Sequence, residues 1–136
     1  MFSFCIPTEF VFGSGSFKKL YQYRMPGKKA LIVTTNGGSV KRLGYLNELE
    51  KQLEKSDVSF EVFDGIEPNP ITDNIMAAAA KAKETNCDFV IGFGGGSPMD
   101  SAKLIALAAT NPGNIWDYCQ KGTGGRKQPE NTPLPV

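Results

Sequence analysis

The stretch Phe89-Val-Ile-Gly-Phe-Gly-Gly-Gly-Ser-Pro-Met-Asp-Ser-Ala-Lys103 joins a short apolar run to helix-forming residues through three consecutive glycines. Glycine loses more backbone freedom on folding than any other residue, so such a run is costly unless something must approach the backbone closely. Asp88 to Phe93 predicts a strand buried on both faces. Beyond the glycines, Ser97 can cap a helix, Pro98 can take its first position, and Asp100 stands three residues on from Ser97. Gly94, Gly95 and Gly96 then leave backbone N–H groups beside the positive end of a helix dipole, a combination that binds phosphate without a lysine. Spacing alone also allows a plainer role, in which the glycines permit close helix packing and Ser97 with Asp100 forms an ordinary cap. Serine in the last position departs from the usual GxGxxG pattern.

Outward from this stretch, strands and helices alternate. Lys28 to Thr35, with its apolar centre Ala30 to Val33, predicts a first buried strand. The turn Asn36-Gly-Gly-Ser39 leads to a helix ending near Lys55, with Leu43, Leu46, Leu49 and Leu53 on one face. Val58 to Phe63 predicts a second strand, and Asp64 to Pro70 a stiff loop. A helix over Ile71–Thr85 can be capped by Thr72 or Asp73, and the helix after the glycines runs to about Thr110. The fold class expected is α/β: a Rossmann-like parallel sheet flanked by helices, with right-handed crossovers. Phe4, Ile6, Phe10, Val11 and Phe12, around Pro7-Thr-Glu9, predict a short N-terminal β-hairpin. A helix capped by Ser16 should follow over Phe17–Tyr23. Near the other end, 122–131 is a polar loop and Thr132 to Val136 resembles the opening of another strand. A domain rarely stops there, so the 136 residues are expected to be one truncated domain of a longer protein.

Composition narrows the function. With 40% hydrophobic and 21% charged residues, the chain has the makeup of a soluble globular domain. The net charge of +1 supplies no field for nucleic acid or an anionic membrane, and neither is expected as a partner. Cys5, Cys87 and Cys119 are odd in number and widely spaced, which fits the reducing cytoplasm rather than a disulfide scaffold or zinc site. The absence of histidine removes the usual proton shuttle and the commonest metal ligand. No apolar run is long enough to span a bilayer, and the N-terminus lacks a basic signal-peptide region.

In doubly wound sheets, ligands settle outside the carboxyl ends of the strands. The segments Thr34 to Ser39 and Glu67 to Pro70 should therefore converge with the glycine run. An acid after the first strand normally binds a ribose 2′-OH and repels a 2′-phosphate. Here Thr35, Asn36, Gly37, Gly38 and Ser39 occupy that region, with Lys41 and Arg42 beyond, which favours NADP over NAD.

Gly94-Gly-Gly-Ser-Pro-Met-Asp-Ser-Ala-Lys103, with Gly65-Ile-Glu-Pro-Asn-Pro70, Lys29-Ala-Leu-Ile-Val-Thr34 and Phe4-Cys-Ile-Pro-Thr-Glu-Phe-Val-Phe-Gly13, resembles the iron-containing (group III) alcohol dehydrogenases, in particular their NADPH-dependent butanol dehydrogenase branch. The resemblance covers essentially the whole chain, within a superfamily that includes dehydroquinate synthase. It implies a nucleotide-binding N-terminal domain followed by an all-helical metal-binding domain. It also implies hydride transfer between NADP(H) and an alcohol or aldehyde such as butanol or butanal. In that family the glycine run meets the cofactor diphosphate, so the resemblance gives this role to Gly95, Gly96 and Ser97. It places Asn69 near the adenosine half and Asp100 toward the nicotinamide. The metal, iron or another divalent ion, would lie in the missing domain and polarise a carbonyl as a Lewis acid. The resemblance further implies a homo-oligomer, a dimer, while the chain alone would bind nucleotide weakly without turnover. A glycerol or polyol dehydrogenase, and a non-catalytic nucleotide-binding module, are the alternatives. Ser97 counts against the polyol enzymes, which usually have lysine there.

Overall fold

The computed structural model describes residues 1–4 and 8–136. Its centre is a parallel sheet of β1 (Lys29–Thr35), β2 (Ser59–Ile66) and β3 (Phe89–Gly92), in the order β2-β1-β3. Parallel neighbours need a crossover between them. Helices α1 (Ser39–Arg42) and α2 (Tyr45–Lys55) connect β1 to β2, α3 (Thr72–Glu84) connects β2 to β3, and α4 (Gly96–Thr110) follows β3. Ala30 to Thr34 of the central strand are fully buried, as expected of a strand covered on both faces.

Side chains alternate across the sheet and divide the core in two. On one face Ala30, Ile32 and Phe89 pack against Leu46, Leu49 and Leu53 of α2, with Phe17 and Leu20 of the 3-10 helix Ser16–Gln22 beside them. On the other, Leu31, Val33 and Val90 meet Ile75, Ala78 and Ala82 of α3 and Ala102, Ile105 and Ala106 of α4. The alanines let the two helices lie close to the sheet. At the amino ends of the strands, the Asp88 carboxylate accepts from the backbone N–H groups of Lys28 and Lys29, which pins β1 to the entry of β3.

Several boundaries differ from the sequence-based expectation. The helix expected from the first turn to Lys55 is broken at Gly44, whose φ of 76° is left-handed. Leu43, expected on its buried face, is exposed. Strand β2 continues to Ile66, because Ile66 pairs with Thr35 across a register shift. Thr72 and Asp73 do not cap α3, since Ile71 holds the extended N-cap position. The first helix is a 3-10 helix with left-handed Gly15 at its N-cap instead of Ser16. Cys5, Ile6 and Pro7 of the expected hairpin lie outside the described residues. Among its described residues no strand forms, and Phe4, Phe10 and Phe12 are exposed. Thr132 to Val136 forms no strand either, yet the Val90 N–H donates to the Pro135 carbonyl at 2.9 Å. That bond sets the segment against the edge of β3 that β1 leaves open.

The polar loop after α4 is tied down by buried Asn111, whose amide donates to the Leu107 and Asn131 carbonyls and accepts from the Glu130 and Asn131 N–H groups. Asp117 anchors the same loop. Hydrogen bonds from the Thr123 hydroxyl and the Asn114 N–H lower its pKa below the usual carboxylate value.

Candidate functional site

The carboxyl ends of β1, β2 and β3 bring three loops to one rim of the sheet. Parallel strands all exit on the same side, so the topology itself assembles Thr35 to Ser39, Glu67 to Pro70 and Phe93 to Ser97 there. β1 and β3 are joined at this rim by the Phe93 N–H, which donates to the Val33 carbonyl at 2.8 Å. The Asn36 N–H donates to the Ile66 carbonyl and links the exits of β1 and β2.

The glycines of the loop have different neighbours. A side chain on Gly92 would lie 2.8 Å from Met99 Cα and 2.9 Å from the Pro98 carbonyl oxygen, so this glycine allows α4 to close against β3. Gly94 has a φ of 140°, and a Cβ there would meet Pro98 Cγ at 3.0 Å. Gly95 and Gly96 are otherwise: among the described residues, no atom outside the adjoining backbone and chain neighbours lies within 4 Å of where their Cβ atoms would be. Neither has a positive φ, so neither internal packing nor backbone strain calls for glycine there. The space beside these two positions is open, as a closely approaching ligand would need.

Helix α4 starts earlier than expected. Its N-cap is Gly95, and no side chain caps it. Ser97 and Pro98 are already inside the first turn, Ser97 half-buried with its carbonyl accepting from Ser101 Oγ at 2.7 Å. Asp100 plays no capping part. It is exposed, and its carboxylate lies 3.4 Å from Lys103 Nζ. The first-turn N–H groups of a helix have no intrahelical acceptor. Among the described residues, those of Gly94 and Gly95 also find none. Unmet N–H groups therefore line the start of a 15-residue helix, where the dipole favours an anion.

Around this centre, Asn69 is exposed with a φ of 59°, a left-handed conformation that asparagine tolerates. Gly37, Gly38 and Ser39 form the turn into α1, with Gly38 left-handed at φ 69°. Thr35 is half-buried at the end of β1, and no acid takes its place. Lys41 is paired with Asp64 of β2, and this contact holds the Asp64 carboxyl below its usual pKa. Among the described residues Arg42 has no acidic partner. Sequence reasoning did not single out Gly92 or Thr34. Glycine inside an otherwise apolar strand, and threonine at the end of one, were the available signals.

No set of three or more His, Cys, Asp or Glu among the described residues could hold a metal ion. The donors that an iron centre needs are not offered by these residues.

With this geometry established, the model for the family described as iron-containing alcohol dehydrogenase matches residues 7–136. This chain belongs to the iron-containing alcohol dehydrogenase family. It is 35% identical over 120 residues to the probable NADH-dependent butanol dehydrogenase 1 of Bacillus subtilis, covering 88% of this chain and 31% of the relative. It is 36% identical over 135 residues to the NADPH-dependent aldehyde reductase YqhD of Escherichia coli, covering 98% of this chain and 34% of the relative. The crystal structure of NADH-dependent butanol dehydrogenase A from Thermotoga maritima superposes with a TM-score of 0.88 at 34% identity, over 99% of this chain and 33% of that one. The chain thus spans about a third of the length of the relatives it matches. No helix among its described residues is long and apolar enough to cross a membrane.

Proposed function

We propose that these 136 residues are the nucleotide-binding domain of an alcohol dehydrogenase that transfers a hydride between NADP(H) and an alcohol or aldehyde, with butanol and butanal as representative substrates. The observation that carries this is the empty space at Gly95 and Gly96 next to N–H groups without acceptors at the head of α4. A diphosphate fits both features: its oxygens accept from the N–H groups, and its bulk uses room that side chains would fill. In this assignment Gly94, Gly95, Gly96 and Ser97 hold the diphosphate. Asn69 borders the adenosine, and Thr35, Asn36, Gly37, Gly38 and Ser39 surround the adenosine ribose. Asp100, exposed one turn into α4, is directed to the nicotinamide half.

A preference for the 2′-phosphorylated cofactor is supported by neutral Thr35 at the end of β1 and by Arg42 nearby. Lys41 supports it less, because Asp64 neutralises it. Relatives include enzymes named for NADH and for NADPH, so the β1 turn of this chain, not membership of the family, is the ground for that preference. The nicotinamide supplies the hydride when bound. These residues place the cofactor and hold its charge, and any metal would be held by residues beyond the 136. The whole protein is proposed to work as a cytoplasmic homo-oligomer.

Calorimetric titration with NADPH, NADH and ATP tests the proposal. NADPH is expected to bind most tightly, without turnover of alcohol by the isolated chain. ATP binding as tightly as either dinucleotide would instead make this a general nucleotide module, and alcohol oxidation by the 136 residues would contradict the division of labour.

A further inference from the structure

Thr34 ends the fully buried part of β1 below the glycine loop. It is 0% exposed, and its Oγ1 has no hydrogen-bond partner among the described residues. Buried hydroxyls are rarely left unpaired, because desolvation then goes uncompensated. The loop lies against it: a Cβ built on Gly94 would be 3.9 Å from Thr34 Oγ1. In the same loop, the N–H groups of Gly94 and Gly95 also lack acceptors among the described residues.

One glycine strip thus carries unmet N–H groups and adjoins an unmet buried hydroxyl. In a trans peptide the C=O and N–H point in opposite directions, so a single peptide plane can serve both sides at once. Glycine makes the required rotation accessible. Gly94 already has a φ of 140°, and Gly95 has no neighbour within 4 Å of its Cβ position.

We propose that Thr34 is a positioning residue for the nucleotide site described above. On binding, the peptide between Gly94 and Gly95 turns its Gly95 N–H outward to the diphosphate and its Gly94 carbonyl inward to accept from Thr34 Oγ1. Thr34 does not touch the ligand. Its hydroxyl favours the loop conformation that does, and the unpaired state of the free protein is relieved when the nucleotide arrives.

The test combines NADPH titration with thermal unfolding of the nucleotide-free chain. Thr34→Val keeps the shape and removes the hydroxyl. It is expected to melt no lower than the parent while binding NADPH about tenfold more weakly, about 1.4 kcal/mol. Thr34→Ser restores the hydroxyl and should return affinity to within about threefold of the parent. The proposal is overturned if the Val variant binds as tightly as the parent, or if the Ser variant stays as weak as Val. It is also overturned if the Val variant melts lower without nucleotide, since the hydroxyl would then already have had a partner. If the parent chain itself binds no NADPH, the nucleotide assignment is what fails, and the role of Thr34 falls with it.

Discussion

Gly92, the last residue of β3, and Gly95, the N-cap of α4, lie three residues apart and are glycine for opposite reasons. At Gly92 the protein fills the space where a side chain would be, with backbone of Pro98 and Met99 inside 3 Å. At Gly95 no described residue other than its chain neighbours comes within 4 Å of that position. One glycine permits the fold, and the other leaves room for something outside it. A similar contrast recurs between neighbouring cations in α1. Lys41 is engaged by Asp64, whereas Arg42 has no acidic partner among the described residues. Within a loop or a helix, residue type alone does not tell which group the chain itself uses.

Substitutions can break this contrast. Gly92→Ala should destabilise the chain by about 3 kcal/mol, because the backbone of α4 must shift to admit the new methyl. Thermal unfolding would show it as a fall of about 10 °C. Gly95→Leu should do the reverse. Its φ of −81° suits any residue and its surroundings are open, so unfolding should stay within about 0.5 kcal/mol of the parent. NADPH binding should nevertheless weaken at least about a hundredfold, near 2.7 kcal/mol, by calorimetry. Equal binding by that variant would show the open space to be incidental.

Arg42→Gln sharpens the second contrast. It should reduce the NADPH-over-NADH affinity ratio by about tenfold, whereas Lys41→Gln should move the ratio by about threefold or less. The smallest effect is expected at Asp64. Its folded-state pKa is depressed, chiefly by the Lys41 hydrogen bond, so its contribution is present above the unfolded carboxylate pKa and lost as pH falls through the lower folded value. Both side chains are about half exposed, which limits the contribution to about 0.5 kcal/mol. Melting curves of Asp64→Asn and the parent should therefore differ slightly at neutral pH and converge in acid.

Much of the fold was legible because burial on both faces leaves a continuous apolar run. Ala30 to Val33 and Phe89 to Ile91 show that pattern, and β1 and β3 form there. The break at Gly44 was not legible. Leucines at spacings of three and four continued through Leu43, and only the left-handed backbone at Gly44 turns that residue out to solvent. The end of β2 was also hidden, since Gly65 and Ile66 become strand by pairing with β1, a long-range contact with no local mark.

In the candidate site, sequence located the glycine run, the β1 turn and Asn69, but misassigned the helix start. Ser97 followed by Pro98 is a strong capping signal. In the folded chain the close contact of Pro98 and Met99 with Gly92 accompanies a start two residues earlier, with Gly95 as the N-cap. Thr34 could not be singled out at all, because an unpaired hydroxyl is defined by the atoms around it.

By itself, then, the sequence determined the α/β alternation and the buried strands, because hydrophobic period is a local property of the chain, and its motifs carried the resemblance to the family. Tertiary structure alone decided which glycines face protein and which face open space, which cation is neutralised, and where α4 begins. Those outcomes depend on segments far apart in the chain meeting at one rim of the sheet, and only the folded geometry sets that meeting.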